Sequence, residues 1–436
     1  MTNKVNTPEL TVIHHDDETP WKAWQKIVFR FCFWFLGLTA IMAWQLNAYF
    51  CYLTINKNGF DIEGIYKPFA TPFHWLDQHI FHTGYNPKIH ESFPQDNHYG
   101  TVFYLTIILI AVIATITWSI IDRKKSNYNR LYFWFCLFLR YTLAVTIIGY
   151  GIDKFIPVQM VWPNAAAMMA TYGHLSRFSV LWRFMGISPG YMILTGSCEI
   201  IAGLLLLYRR SVVLGYLFLL GIMVNVVALN WFYNVPVKMF SAQLLVYDLF
   251  LLAPYCKELA QFFFMGDVKK TTIRHFTFKT GWKKHSITGT LVLIPLLYVL
   301  LVAIADWRRY DQYGSDSKTA KLYNVVAFIA KDTLPPLTTD TLRWKSLFMQ
   351  GKQAIVCNMM NADDYYEYDL DSIKKTITLH DNPDKKTWKV FHYTYPAKDK
   401  FQLSGKWKGK DINVLMQSTP IDSIPLNKEK IQLIQD

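Results

Sequence analysis

CEIIAGLLLLYRRSVVLGYLFLLGIMVNVVALNWFYNVPVKMFSAQLLVYDLF, residues 198–250, decides the fold. It contains three apolar runs broken only by short turns, one with Arg209 and Arg210 and one around Asn234 and Pro236. Each run is of membrane-spanning character, yet a strongly polar residue sits inside each: Glu199, Asn225 and Asp248. Such groups are costly in hydrocarbon, so they argue for a polar site buried between helices. Upstream, Arg140 stands inside another apolar run in the same way.

Working outward, runs of about twenty mostly apolar residues, enough to cross a ~30 Å hydrocarbon core, fall at 28–47, 101–121, 132–151, 190–208, 212–233, 241–255 and 287–305. A chain that is 52% hydrophobic and 18% charged is too apolar for a soluble enzyme and too charged to be membrane throughout. The formal charge of +13 does not indicate nucleic acid, because it follows the membrane. Arg123, Lys124, Lys125 and Arg130 fill one loop, Arg209 and Arg210 the next of that sign, and Lys257, Lys269, Lys270, Arg274, Lys279, Lys283 and Lys284 a third. The loop at 48–100 has only Lys57, Lys67 and Lys88. By the positive-inside rule the basic loops are cytoplasmic. The expected protein is therefore an α-helical polytopic protein of the cytoplasmic (inner) membrane with about seven transmembrane helices. Its N-terminal segment, 1–27, is cytoplasmic and uncleaved. A C-terminal antiparallel β-domain, 306–436, lies in the periplasm.

The β-domain is read from alternation at 322–330, 352–360, 365–370, 373–380, 387–395 and 411–417, with turn signals at 380–384 and at Gly405 and Gly409. An antiparallel sheet or small barrel follows. Between the third and fourth runs, 157–189 is too broken by Pro and Gly to cross, and its aromatic and Met content fits a helix in the outer interface or dipping into the bundle. The exported loop carries His74, His79, His82, His90 and His98, without metal-ligand spacing; interfacial packing is the simpler reading. The six cysteines include no CxxC, which points to buried thiols rather than a disulfide framework.

Depth along a helix follows from its rise. Measured from ends near Gly151, Gly190, Tyr233 and Lys238, Arg140 lies about 16 Å in, Glu199 about 14 Å, Asn225 about 12 Å and Asp248 about 15 Å. Four helices thus place polar groups at one level. Arg140 can neutralise Glu199 or Asp248, leaving one acid without a cation and available for proton exchange. The same set can instead fix helix packing without chemistry. A second layer, Lys154, Gln159, Asn230, Lys238 and Trp162, marks the exported ends and suits a flat apolar molecule with two polar oxygens, such as a quinone headgroup.

The segments YGIDKFIPVQ (150–159), LWRFMGISPGY (181–191), CEIIAGLLLLYRRS (198–211) and NVVALNWFYNVPVKMFS (225–241) resemble the DoxX-like membrane proteins, in a longer Bacteroidota-type branch with extra spans and a C-terminal extension. PPLTTDTLRWK (335–345) and LSGKWKGKDI (403–412) are similar to those extensions. The resemblance implies a four-helix core over about 130–265 and links to quinone-coupled oxidation or membrane redox complexes. By motif, Lys154 matches the lysine closing the first core helix and Glu199 the acid of the second. Two departures are Asn234, where aspartate is expected, and the lack of a cysteine pair. The working expectation is a quinone-linked redox subunit with an exported or membrane partner. In it Lys154, Gln159, Asn230, Lys238 and Trp162 hold the headgroup, while Glu199, Arg140, Asp248 and Asn225 handle the proton. The alternatives are a non-enzymatic scaffold presenting the β-domain to envelope proteins, and a protein-modifying enzyme using a lipid-soluble cofactor.

Overall fold

The computed structural model describes residues 20–55, 63–87, 95–266, 281–330, 336–381 and 388–428. Most of the 1–27 segment, His90, Lys269, Lys270, Arg274 and Lys279, and the turn beyond Asp381 lie outside these residues. The chain divides into two compact units, one of residues 1–159 and 190–307, the other of 160–189 and 308–436.

The first unit is helical: α1 (Ala23–Ile55), α2 (Glu63–Leu76), α3 (His98–Ile121), α4 (Asn129–Phe155) and, beyond the 160–189 segment, α7 (Pro189–Leu207), α8 (Val212–Phe232), α9 (Lys238–Leu252), α10 (Cys256–Met265) and the first part of α11 (Gly281–Lys318). Six stretches among the described residues are long and apolar enough to cross a membrane: Ala23–Met42, His98–Ile121, Asn129–Phe155, Pro189–Leu207, Val212–Phe232 and Lys238–Met265. This is a multi-pass membrane protein. Its lipid-facing Ile113, Leu194, Leu204 and Leu214 stay exposed because the bilayer, not water, is their solvent. The seventh expected span, 287–305, falls within α11, and part of its side chains lies outside the described residues.

Small residues let α4 and α7 touch at backbone distance. A Cβ on Gly196 would stand 2.5 Å from the Gly151 carbonyl oxygen, and one on Gly151 would stand 2.8 Å from that of Gly196. Gly203 meets Ile148 and the Ala144 carbonyl one contact further along. Such close approach is how helices associate where the hydrophobic effect gives no help. On its other side α4 packs Val145, Ile148 and Ile152 against Tyr298 and Val302 of α11.

At one end of α1 and α3 a buried cation is held by hydrogen bonds and aromatic rings. Arg30 donates to Tyr128 Oη at 2.7 Å, Ser119 Oγ at 2.9 Å and the Asp122 carbonyl at 3.1 Å. Its guanidinium also lies over the Trp118 and Tyr128 rings. In the connection between α2 and α3, Asp77 is buried and accepts from Thr83 N–H and Oγ1 and from the Gly84 and Tyr85 N–H groups. Burial alone would raise its carboxyl, but those hydrogen bonds outweigh it and hold the group below its usual value.

The second unit is a closed barrel of eight antiparallel strands in sequence order, β1 (Lys321–Ala330), β2 (Trp344–Gln350), β3 (Gln353–Asn358), β4 (Asp363–Asp371), β5 (Thr376–His380), β6 (Lys389–Ala397), β7 (Lys400–Trp407) and β8 (Lys410–Thr419), with β8 pairing back to β1. Closure removes the free edges of the sheet. Lys408 and Gly409, both at positive φ (47° and 83°), turn β7 into β8 between the partners Trp407 and Lys410, as a two-residue hairpin requires. Inward residues Trp344, Leu347, Leu379, Phe391, Phe401, Leu403, Trp407 and Val414 are almost wholly buried, so the interior is packed with side chains. Two strands, β2 and β7, were not expected from the sequence.

The 160–189 segment, expected in the interface or the bundle, belongs to this unit. It supplies α5 (Ala165–Met169) and α6 (Arg177–Gly186). Ala165 packs with Leu322, Phe348 and Ile355, covering the outer face of the strands that bear them, and with Ile424 beyond β8.

Candidate functional site

α4 and α7 carry the most tightly defined polar contact of the bundle. Lys154 Nζ stands 2.6 Å from Glu199 Oε1 and 2.7 Å from Oε2, and both residues are buried, at 8% and 5% exposure. The glycine contact sets this pairing: Gly196 seats the Lys154 Cβ and Phe155 N–H against α7, so the end of α4 meets the middle of α7. Lys154 therefore lies at the level of Glu199, not in a separate outer layer. This corrects the charge assignment expected from sequence, in which Arg140 was the sole intramembrane cation. The expectation failed because it set the exported ends of α4 and α7 at one level, whereas the Gly151–Gly196 contact brings Lys154, at the end of α4, beside the middle of α7.

The rest of the expected proton-handling set separates. Asp248 is fully buried on α9, and neither carboxylate oxygen has a hydrogen-bond partner among the described residues. Arg140 is half-buried on α4 with its guanidinium 5.3 Å from the Tyr141 ring, and its Nε finds no hydrogen-bond partner among the described residues. Among the described residues no ion pair joins Arg140 to Glu199 or Asp248. Tyr216 of α8, itself buried, is within electrostatic range of both Arg140 and Asp248. Asn225 is a correction: it is exposed on the outer face of α8 and does not join the interior groups. A helix as apolar as α8 on every side gives no sign of which face turns inward.

The expected headgroup set is also divided. Lys238 is engaged by Asp96, whose carboxylate accepts from the Lys238 and Met239 backbone N–H groups at 2.6 and 3.0 Å and sits 3.6 Å from Nζ. That carboxylate caps α9, using N–H groups the first turn leaves unpaired. Trp162 lies in the barrel unit, where its indole donates to Asn427 at 3.2 Å and its carbonyl accepts from Tyr313 Oη. Gln159 folds back on the end of α4, its N–H bonded to the Asp153 carbonyl, and its Oε1 is buried without a partner among the described residues. Asn230 is buried near the end of α8. Lys154, Gln159 and Asn230 thus remain from the five.

Sequence reading missed a chain of hydrogen bonds across three helices. Tyr104 of α3 donates to Gln243 Oε1 at 2.7 Å, Gln243 Nε2 donates to Tyr247 Oη at 2.7 Å, and Tyr247 donates to Thr39 Oγ1 of α1 at 2.8 Å. Thr39 in turn donates to the Phe35 carbonyl. The available signal was the i, i+4 spacing of Gln243 and Tyr247, which places both on one face of α9.

In the exported loop as read from sequence, His74 contacts Gln78 and the Tyr85 carbonyl, and His79 stacks on Trp75. Among the described residues no three His, Cys, Asp or Glu side chains are grouped to hold a metal.

Fold and site define a multi-pass membrane protein with a buried ion pair and, in its helical unit, a buried acid without a hydrogen-bond partner among the described residues, linked to an eight-stranded barrel. No family model matches the chain, and no solved structure matches it. Over 115 residues it is 33% identical to the uncharacterized protein YwoB of Bacillus subtilis (strain 168), a match covering 26% of this chain and 71% of that protein. The chain belongs to the family of that protein.

Proposed function

We propose that the protein is a redox subunit of the cytoplasmic membrane that exchanges protons with a lipid-soluble carrier of the quinone class. In this reading it has seven spans, a cytoplasmic N-terminus, a DoxX-like core of α4, α7, α8 and α9, and a periplasmic barrel. The observation that carries it is Asp248, a fully buried carboxyl in a span with both oxygens unpartnered among the described residues. A bare carboxylate there is too costly to persist, so the group must hold a proton or meet a cation.

The residues around Lys154 fit a headgroup. Lys154 uses two of its three donors on Glu199, leaving one for a carbonyl oxygen. Gln159 Oε1, buried and without a partner among the described residues, would accept from a hydroxyl. When bound, a quinone supplies two-electron chemistry, taking electrons from a partner redox protein and two protons. Lys154 and Gln159 orient the oxygens, Glu199 holds Lys154 in position, and Asp248 with Arg140 stores and returns a proton. Protein purified without added lipid should yield quinone in a mass spectrum of its lipid extract, and Lys154→Ala with Glu199→Gln should lose it. Asp248→Asn should keep the quinone but slow its reduction. Quinone-free protein that still complements a deletion strain overturns the reading.

A second reading, a scaffold that presents the barrel to envelope partners, is favoured by the barrel itself. Its interior is filled, while its outer face has an open cavity of about 650 Å³ lined by Asp369, Asp371, Ile373, Thr376, Trp388 and Val390. In that case deleting 322–436 abolishes function, and substitutions at Lys154, Glu199 or Asp248 lower only the amount of protein.

A further inference from the structure

Asn225 is left unexplained by the site above. It is exposed on α8, about 11 Å from one end of the helix and about 20 Å from the other, at a depth where only hydrocarbon or protein can meet it. Its amide offers two donors and an acceptor, and none has a hydrogen-bond partner among the described residues. Leaving these groups against lipid is costly, and polar side chains in spans are commonly satisfied across a helix–helix contact.

The surface around Asn225 has the shape of such a contact. At 100° per residue, Leu214, Phe218, Gly221, Asn225 and Phe232 fall along one stripe. All are exposed. Gly221, one turn from Asn225, has nothing within 4 Å of where its Cβ would be. By contrast Gly151, Gly196, Gly203 and Gly215 each press on a neighbouring helix. Gly221 makes a notch on the outer face where another backbone could come as close as α7 comes to α4.

We infer that this stripe of α8 is the interface with a second copy of the chain. Copies inserted with one orientation can close as a pair only about a two-fold axis along the bilayer normal, so a residue at the axis meets its own copy at its own depth. Asparagine is suited to that position because its carbonyl and amino group pair reciprocally with those of another asparagine. A different partner would have to place a complementary polar group at this one depth. The inference is independent of the quinone reading.

The test is the monomer–dimer equilibrium of the full chain in liposomes, followed by donor–acceptor fluorescence transfer as the protein-to-lipid ratio is lowered. Asn225→Leu, an apolar change at an exposed position, should weaken the dimer roughly three- to thirty-fold, the range expected for one polar contact between spans. Gly221→Ile should weaken it as well by blocking the notch, and Asn225→Gln should retain most of it. Oxidative cross-linking supplies a reading that does not depend on the strength of association. Asn225→Cys should form a disulfide-linked dimer above the wild-type background, while Leu204→Cys, exposed on α7, should not. Wild-type protein that stays monomeric at high protein-to-lipid ratio overturns the inference, as does a dimer unchanged by Asn225→Leu or cross-linked equally through Leu204→Cys. A monomer that instead retains a different membrane protein through Asn225 overturns the second copy as occupant.

Discussion

Replacing Lys154 with Met, Glu199 with Leu, and then both together tests whether the ion pair acts as one unit. The two side chains are 11% and 6% exposed, and the ammonium contacts both carboxylate oxygens within 2.7 Å. Removing either partner leaves the other charge in a medium that cannot solvate it, which costs about 3–5 kcal/mol. Removing both leaves two apolar side chains at the α4–α7 contact, and such exchanges are close to neutral or gain about 1–4 kcal/mol. Each single variant should therefore unfold far more readily than wild type, and the double variant should recover. The coupling read from the cycle should be about 3 kcal/mol or more, above the range for independent sites. The assay is reversible unfolding of the purified full chain in mixed micelles by added SDS, followed by tryptophan fluorescence. Single variants that each cost less than about 1 kcal/mol, or that add in the double, refute a desolvated pair. The double variant also separates structure from chemistry. If stability returns while quinone retention does not, the pair contributes more than packing.

Gly196→Leu should damage the bundle, because even a Cβ there would stand 2.5 Å from the Gly151 carbonyl; the same unfolding assay should show a loss of about 1–3 kcal/mol or more, and a wild-type midpoint would refute the contact. The Asp77 carboxyl, held below its usual value by the Thr83, Gly84 and Tyr85 donors, contributes stability that is complete above its unfolded value near 4 and is lost only as pH falls through the lower folded value. Hydrogen exchange at the Gly84 and Tyr85 amides should thus stay protected between pH 7 and pH 5, whereas Asp77→Asn should expose them throughout; protection lost already at pH 5 contradicts this. Burial, with the neighbouring Asp363, pushes the Cys357 thiol up to about 11, so N-ethylmaleimide at pH 8 should label it far more slowly than the exposed Cys256, and equal rates would contradict the barrel packing.

Apolar length made the spans legible, because a ~30 Å core demands about twenty such residues whatever the fold. The barrel was half legible for an equally physical reason. β1, β3, β4, β5, β6 and β8 show turn signals and enough alternation to be read. In β2, Leu347 and Met349 face the barrel core while Phe348 between them is buried on the outside with Ala165 and Ile424, so the period of two disappears. In β7, Gly405 looks like a turn but is a strand residue whose Cβ would stand 2.7 Å from the Phe391 ring. Partners inside the bundle were hidden more deeply. The Lys154–Glu199 pair depends on the register of α4 against α7, which the Gly151–Gly196 contact sets and hydropathy cannot show. Asn225 and Asp248 look alike in sequence, each a polar residue in an apolar run, yet one is exposed and the other fully buried.

Hydrogen-bond accounting separates the polar groups of the spans more sharply than depth does. Arg30, the chain from Tyr104 to Thr39, and Lys154 with Glu199 find hydrogen-bond partners within the helical unit, and paired groups of this kind hold helices together. Asp248, Arg140 Nε and Gln159 Oε1 are buried without partners among the described residues, and Asn225 is exposed to the bilayer. In hydrocarbon no water completes such groups, so each must be completed by a proton, a ligand or another chain. The position of each decides which. Asp248, enclosed on all sides, would be completed by a proton; Gln159, just beyond the end of α4, would be completed by a headgroup hydroxyl in the function proposed above; Asn225, on the outer face, can be reached only by a neighbouring helix. The residues to test for chemistry are therefore those that the fold leaves incomplete, whereas Glu199, which the sequence singled out first, is paired with Lys154.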